Sequence, residues 1–290
     1  MTIKEVLDKT ITFFKAKGFH SPRLDAELIL AHGLGLERLQ LYLKFDQPLK
    51  EPELEKLREL VKRRTTGEPI AYILGKKEFY KNSFVVNKAV LIPRPETETL
   101  VELAADFIES KKPFEAFHVL DIGGGSGCIG ISLAKEFPEI SVTIIEKSKG
   151  AADVIKENMA LNQASNVTVY NLDADDIEGF VESYSAGHPA FDLIVSNPPY
   201  IDIEDKEVEE NVRKFEPQEA LFAEDKGYVF LKNWANKYST LLNENGMMIF
   251  EMGYTQGDAI LEHLTKLNIF KSVKIKKDLA SMDRFIEMAK

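Results

Sequence analysis

Hydrophobic residues in the first 66 positions recur every three or four residues, which is the spacing of one face of a helix. The pattern predicts a helix from Ile3 to Gly18, a second that starts at Ser21-Pro22, and a third that starts at Glu51-Pro52-Glu53. Ser21 suits the N-cap, and Pro22 suits the first helical position, where no backbone donor is needed. We therefore expect residues 1–66 to form a small helical bundle.

The hydrophobic runs become shorter between residues 67 and 95. Ile70–Leu74, Glu78–Tyr80 and Ser83–Val86 are brief β-prone segments, separated by Gly75 and Asn82. We interpret this region as a β-hairpin linker between two domains.

From His118 onward, apolar β-branched runs alternate with helical patterns, which is typical of a mostly parallel sheet with helices on both faces. The predicted strands are His118–Ile122, Ser141–Glu146, Asn166–Asn171, Asp192–Ser196, Gly246–Glu251, Phe270–Ile275 and Arg284–Ala289. The last two strands lie close enough in the sequence to form a hairpin at one edge of the sheet. The predicted fold is therefore α/β and Rossmann-like, with seven strands of which one is antiparallel.

Composition and charge exclude several classes of protein. The formal net charge of −10 argues against a protein that binds nucleic acid mainly through phosphates, although residues 1–80 carry +3 and the remainder −13. No run of 18 apolar residues occurs and the N-terminus lacks the form of a signal peptide, so we expect no membrane span and a cytoplasmic location.

The single cysteine, Cys128, fits a reducing compartment. No metal site is predicted, because the histidines show no ligand spacing: they are His20, His32, His118, His188 and His263.

A glycine-rich turn follows the first predicted strand of the sheet. It reads Gly123-Gly124-Gly125-Ser126-Gly127 and leads into a helix from Cys128. Glycines let the backbone approach a ligand closely, and the helix N-terminus offers free N–H groups. The turn suits a dinucleotide or S-adenosylmethionine, but Asp121 would repel a pyrophosphate and attract an α-ammonium group, directly or through water. The sequence therefore favours S-adenosylmethionine, bound by Asp121 and by Gly123, Gly124, Gly125 and Gly127.

Carboxylates end the next two predicted strands. Glu146 is placed to accept both hydroxyls of a ribose, although a surface charge at a strand end is the simpler alternative. Asp173 is placed to meet the adenine amino group, and Asp175 and Asp176 lie close enough to compete for that role.

The segment Phe191–Ser196 reads as a buried strand that is stopped by Asn197-Pro198-Pro199-Tyr200. Two consecutive prolines make a stiff loop at the carboxyl end of a strand, where open α/β sheets bind ligands. The Asn197 side-chain amide, the Pro198 carbonyl and the Tyr200 ring are together suited to hold a planar NH2 group. A strand followed by an ordinary proline-rich turn is the alternative interpretation.

Taken in this order, these motifs resemble the class I S-adenosylmethionine-dependent methyltransferases, and Asn-Pro-Pro-Tyr is the form used by members that methylate a planar NH2 nitrogen. Four further segments are similar to signatures of the peptide chain release factor glutamine methyltransferases (HemK/PrmC type). They are Gly67-Glu68-Pro69-Ile70-Ala71-Tyr72-Ile73-Leu74-Gly75, Leu91-Ile92-Pro93-Arg94-Pro95-Glu96-Thr97-Glu98, Phe215-Glu216-Pro217 and Lys277-Asp278-Leu279. Departures are small: Gly124 stands where Thr is usual, Glu146 where Asp is common, and Ser281 where a glycine is expected.

The resemblance implies N5-methylation of the glutamine in the Gly-Gly-Gln motif of release factors, and charge and hydropathy predict no membrane and no direct nucleic-acid partner. With the pattern along the chain, we expect residues 1–66 to be a substrate-recognition domain, 67–95 the linker and 96–290 the methyltransferase domain. Asn197, Pro198 and Tyr200 would be catalytic, Asn197 would also touch the cofactor, and Pro199 and Arg94 would join them in binding substrate. The alternative is an adenine-N6 methyltransferase acting on DNA or RNA, which shares the loop chemistry but needs a basic channel.

Overall fold

The computed structural model describes residues 1–184 and 190–290. Its contacts divide the chain into two compact units. The first comprises Met1–Lys76 together with Glu210–Phe215, and the second comprises Lys77–Glu209 and Glu216–Lys290.

The helices of the described residues are α1 Ile3–Ala16, α2 Pro22–Leu34, α3 Arg38–Leu43, α4 Glu51–Thr65, α5 Ile70–Leu74, α6 Glu98–Ser110, α7 Cys128–Glu136, α8 Lys149–Asn162, α9 Ile177–Tyr184, α10 Glu210–Phe215, α11 Val229–Tyr238 and α12 Gly257–Lys266. The strands are β1 Lys76–Phe79, β2 Asn82–Val85, β3 His118–Ile122, β4 Ser141–Ile145, β5 Val167–Tyr170, β6 Phe191–Ser196, β7 Ile201–Asp202, β8 Phe222–Ala223, β9 Leu242–Glu251, β10 Ser272–Lys277 and β11 Asp283–Ala289. None of the helices in the described part of the chain is both long and apolar enough to span a bilayer.

The first unit is helical, as the spacing of its apolar residues predicted. The apolar faces of α1, α2 and α4 meet in one core that contains Phe14, Leu30 and Leu57. The side chain of Thr2 caps α1, and Pro22 occupies the first turn of α2. Helix stability here comes mainly from the shared apolar core, since short isolated helices are marginal in water.

Ile70–Leu74 was predicted as a β-prone segment, and that prediction is wrong. The segment is α5, which starts after Pro69 and ends at Gly75 with φ +71°. Ile73 is buried in the core of the helical unit, so packing against that core outweighs the weak strand preference of its residues. The chain forms its first strand only after Gly75, where β1 and β2 pair in a two-stranded sheet. The connecting Tyr80 and Lys81 both have positive φ, as tight hairpin turns require.

The second unit is built on a seven-stranded sheet in the order β10-β11-β9-β6-β3-β4-β5. Strands β9, β6, β3, β4 and β5 run parallel, whereas β11 is antiparallel to both of its neighbours. All seven predicted strands are present, and β10 and β11 form the predicted edge hairpin. The fold class is confirmed.

Apolar side chains cover both faces of this sheet, because its strands are apolar at successive positions rather than at alternate ones. One cluster includes Val119 and Val195 with residues of α6 and α7, and the other includes Leu120 and Ile194 with residues of α11 and α12. The parallel arrangement brings the carboxyl ends of β3, β4, β5, β6 and β9 to one edge of the sheet. The chemistry predicted from the sequence falls on the loops at this edge.

Candidate active site

A cavity of about 410 Å³ lies within the second unit, at the carboxyl ends of the parallel strands. Its volume lies within the range of small-molecule sites. The walls combine backbone of the glycine turn with apolar side chains and a few carboxylates. Among the lining residues are Gly125, Glu146, Asp173, Asn197 and Trp234. Most of the site residues predicted from the sequence therefore surround one space.

The glycine turn between β3 and α7 forms one wall. Gly123, Gly125 and Gly127 have φ of +71°, +57° and +78°, a conformation that other residues adopt only with strain. At Gly125 the space where a Cβ would stand is open, so a ligand can approach the backbone there. At Gly124 a Cβ would lie 2.2 Å from Ile144 Cγ2. The packing of Ile144 on β4 therefore favours glycine at this position, where the resemblance led us to expect Thr.

Glu146 follows β4 and reaches under the glycine turn. Its Oε2 accepts a hydrogen bond from Gly125 N at 2.8 Å, and its Oε1 accepts one from Ser148 N at 2.7 Å. Burial raises the pKa of this carboxyl above its usual value, and the backbone donors offset part of that rise. Each oxygen keeps a further lone pair, so Glu146 can still accept ligand hydroxyls.

Asp121 is placed differently from the expectation. It is fully buried beneath the glycine turn and does not line the cavity. Its Oδ2 accepts from Gly130 N at 2.9 Å, while Oδ1 has no hydrogen-bond partner among the described residues. Burial raises the pKa of Asp121 to about 7. Asp121 therefore binds the first turn of α7, and its predicted role in cofactor binding stays a prediction.

The three acidic residues after β5 have separate partners. Asp173 lines the cavity and pairs with Lys147 at 2.8 Å. Its partial burial alone would raise its pKa, but the Lys147 ammonium and the Asp175 N–H outweigh burial and lower it. Asp175 also lines the cavity and accepts from Trp234 Nε1 at 2.9 Å. Asp176 accepts from Gly179 N near the start of α9 and does not line the cavity. Two of the three candidates thus remain beside the cavity.

The residues of the loop after β6 differ in whether they line the cavity. Asn197 and Pro199 line the cavity, whereas Pro198 is buried and Tyr200 does not line the cavity. The Tyr200 hydroxyl donates to Glu251 Oε1 at 3.1 Å. Gly127, likewise, does not line the cavity and serves as the N-cap of α7. The roles assigned to these residues stay predictions.

Asn197 starts a hydrogen-bonded chain whose next member, Thr97, also lines the cavity. Asn197 Nδ2 donates to Thr97 Oγ1 at 3.1 Å, and Thr97 Oγ1 donates to Glu251 Oε2 at 2.7 Å. Glu251 is 1% exposed, and burial raises its pKa to about 7. Arg284 acts in the opposite direction, since its positive charge favours the ionised carboxylate.

Arg94 also lines the cavity. Its Nη2 donates to Glu216 Oε1 at 2.7 Å, and the other oxygen of Glu216 accepts from Ile92 N at 3.1 Å. The Phe-Glu-Pro segment and the Pro-Arg-Pro segment are therefore joined by one buried carboxylate, and Arg94 is held at the rim.

The described residues contain no group of three or more His, Cys, Asp or Glu side chains arranged to hold a metal ion. Of the five histidines, His188 lies outside the described residues.

Comparison with known proteins identifies the chain. Residues 5–75 match the family model described as the PrmC N-terminal domain, and residues 101–245 match the methyltransferase small domain. The release factor glutamine methyltransferase of Rhodopirellula baltica is 38% identical over 100% of this chain and 96% of its own length. The enzymes of the same name from Chlorobaculum tepidum and Geobacter sulfurreducens are 39% and 40% identical, over 98% and 90% of this chain and 95% and 87% of theirs.

The chain belongs to the release factor glutamine methyltransferase family. It is a methyltransferase of the class that uses S-adenosylmethionine, and the resemblance noted in the sequence is confirmed. Among solved structures, the hMettl16 catalytic domain, in complex with MAT2A 3′UTR hairpin 6, aligns with a TM-score of 0.57 and 16% identity over 82% of each chain. At that identity the likeness shows the fold alone.

Sequence reasoning missed three residues that this methyltransferase places at or behind the cavity. Thr97 was visible only as part of the Pro-Arg-Pro-Glu-Thr-Glu segment, and Glu251 only as the last residue of a predicted strand. The rule that ligands bind at the carboxyl ends of parallel strands could have drawn attention to Glu251. Trp234 comes from α11 and gave no local signal.

Proposed function

We propose that this chain transfers a methyl group to the side-chain amide nitrogen of the glutamine in the Gly-Gly-Gln motif of peptide chain release factors. The observation that carries the proposal is the position of Asn197, whose amide lines the cavity beside the glycine turn and whose Nδ2 is engaged by Thr97. That arrangement leaves an oxygen acceptor free to meet an N–H donor. The names of the relatives, 38–40% identical over nearly the whole chain, support the same substrate.

The residues around the cavity fit S-adenosylmethionine. Gly125 leaves backbone open to a close approach, Glu146 presents carboxylate oxygens for ribose hydroxyls, and Asp173 or Asp175 stands where an adenine amino group can be met. Ile145, Phe230 and Trp234 supply apolar wall for the flat base. When bound, this cofactor supplies a methyl group on a positively charged sulfur.

The amide nitrogen of glutamine is a weak nucleophile, because its lone pair is delocalised into the carbonyl. Two acceptors, Asn197 Oδ1 and the Pro198 carbonyl, would hold its two N–H groups and fix the nitrogen in one position. They would also stabilise the positive charge that develops on the nitrogen as it attacks. The prolines keep the loop stiff, so little order has to be gained when the substrate binds. The Tyr200 ring and Arg94 complete the predicted substrate contacts.

We assign substrate recognition to the helical unit, following the sequence prediction for residues 1–66, and a cytoplasmic location to the enzyme, where release factors act. Residues 5–75, which match the PrmC N-terminal domain model, lie in this unit, and the match supports the assignment. The alternative substrate, an adenine amino group in nucleic acid, is not favoured. A net charge of −10 offers no general attraction to phosphates, and the RNA-bound structural neighbour is alike in fold only.

The direct test is mass spectrometry of a purified bacterial-type release factor after incubation with this protein and labelled S-adenosylmethionine. We expect one added methyl group on the glutamine of the Gly-Gly-Gln peptide. Label on oxygen or carbon, or on a nucleic acid in preference to the release factor, would refute the proposal.

A variant tests the role of Asn197. Asn197→Ala removes the side-chain acceptor, so we expect kcat to fall by at least about 100-fold while the cofactor Kd changes by less than about threefold. Turnover is measured by methyl transfer and Kd by calorimetry. Asn233→Ala is the matched control, because Asn233 is exposed on α11. An equal loss of both quantities in Asn197→Ala would contradict the assigned role.

A further inference from the structure

We propose that Thr97 and Glu251 are positioning residues that hold the Asn197 amide in one orientation, with Oδ1 turned toward the substrate. The inference deepens the proposed function and rests on it, since it explains how the loop presents an acceptor rather than a donor. Thr97 lines the cavity and Glu251 does not, but the role assigned to both is to fix the orientation of Asn197. They act through Asn197.

The direction of each hydrogen bond fixes the orientation. An ionised Glu251 can only accept, so the single proton of the Thr97 hydroxyl is directed to Oε2, 2.7 Å away. Thr97 Oγ1 then has only lone pairs to offer Asn197, and it accepts from Nδ2 at 3.1 Å. A reversed amide would place Asn197 Oδ1 against an oxygen without a free proton. Two facing acceptors repel, so the reversed form is disfavoured.

The same carboxylate holds the far end of the loop. Tyr200 donates its hydroxyl to Glu251 Oε1 at 3.1 Å, so both oxygens of Glu251 act as acceptors. A buried carboxylate with two hydroxyl donors is therefore the common support of Asn197 and Tyr200. Burial also raises the pKa of the Tyr200 hydroxyl, which keeps it protonated as a donor.

The sheet explains why these residues meet. Strand β9 pairs in parallel with β6, and Phe250 stands opposite Ser196 in the register. Glu251 is the last residue of β9 and Asn197 is the first residue after β6, so both lie at the carboxyl edge of neighbouring strands. Thr97 arrives from a short helical turn, Pro95–Thr97, and is 2% exposed. Three residues far apart in sequence thus form one rigid support, which is what a preorganised acceptor requires.

Two substitutions at Thr97 separate this role from simple packing. Thr97→Val keeps the branched shape but removes the hydroxyl, whereas Thr97→Ser keeps the hydroxyl and loses one methyl group. At pH 8, where Glu251 is mostly ionised, we expect Thr97→Val to lower kcat by about 10- to 100-fold with little change in cofactor Kd. Thr97→Ser should retain most of the wild-type kcat. If Thr97→Val does not fold, Thr97→Ala takes its place with the same expectation.

A double-mutant comparison tests whether the effect passes through Asn197. In the Asn197→Ala background, Thr97→Val should cause no further loss of kcat, because the group it orients is already absent. Wild-type kcat in Thr97→Val, an equal loss in Thr97→Ser, or a full additional loss in the Asn197→Ala background would each overturn the inference.

A substrate-free readout keeps the inference testable even if the proposed substrate is wrong. In protein labelled with ¹⁵N-asparagine, the Asn197 side-chain NH2 signals are identified by their loss in Asn197→Ala. We expect the proton bonded to Thr97 to lie downfield and exchange slowly in wild type and Thr97→Ser, and to lose both properties in Thr97→Val. Signals that do not respond to Thr97→Val would refute the orientation, whatever the enzyme methylates.

Discussion

The buried carboxyl of Glu251 should make the stability of the protein fall as pH rises. Its pKa is raised from an ordinary 4.5 to about 7, because the folded chain removes it from water. Well below pH 4.5 the group is protonated in both the folded and the unfolded states, so its titration does not change the free energy of unfolding. As pH rises, the unfolded chain releases the proton first, so the free energy of unfolding decreases until the folded pKa is passed.

The magnitude follows from these two pKa values. Above pH 7 the free energy of unfolding is lower by a total on the order of 3 kcal/mol. About 2 to 3 kcal/mol of this decrease develops between pH 5 and pH 8. Glu251→Gln removes the titration but keeps a polar group that can bond to Thr97 and Tyr200. We therefore expect the free energy of unfolding of wild type, relative to Glu251→Gln, to fall by that amount across this interval.

The assay is urea unfolding of the cofactor-free protein at several pH values, followed by tryptophan fluorescence. The only tryptophan, Trp234, is nearly buried in the methyltransferase unit and so reports on the unit that contains Glu251. Asp121 titrates over the same range but is present in both proteins, so its contribution cancels. Glu244→Gln, an exposed position on β9, is the matched control and should give a flat difference. A flat difference for Glu251→Gln as well would refute the reasoning.

Two further substitutions test the packing around the glycine turn. Gly124→Ala should destabilise the protein by about 1 to 3 kcal/mol and weaken cofactor binding, because its Cβ would stand 2.2 Å from Ile144 Cγ2. In Ile144→Ala the same change should cost less, and strictly additive losses in thermal unfolding would contradict the clash. Asn158→Ala should cost about 3 kcal/mol in urea unfolding, because its amide bonds Val85 N and O and Ser126 O in the interior. Glu157→Ala, exposed on the same helix, is the control, and equal losses in the two variants would refute the assignment.

Much of the methyltransferase unit could be predicted because its signals are local. The apolar runs of β3 and β6, the positive φ at Gly123 and Gly125, and the stop imposed by Pro198 and Pro199 depend on the residues themselves. The family signatures then indicated the chemistry, and the comparisons confirmed the family. The division at residues 66 and 95 and the roles of the single site residues stay predictions.

The sequence by itself determined the seven strands of the large sheet, the glycine turn and the diproline loop, since each is set by side-chain shape or backbone freedom over a few residues. Only the tertiary structure decided that Ile70–Leu74 is a helix, because packing into a core competes with a weak local preference. It also decided that Asp121 lies beneath the turn rather than in the cavity. The support of Asn197 by Thr97 and Glu251 joins residues 100 and 154 positions apart. Strand pairing brings Asn197 beside Glu251, and the turn Pro95–Thr97 brings Thr97 to both; no local pattern encodes contacts over such distances.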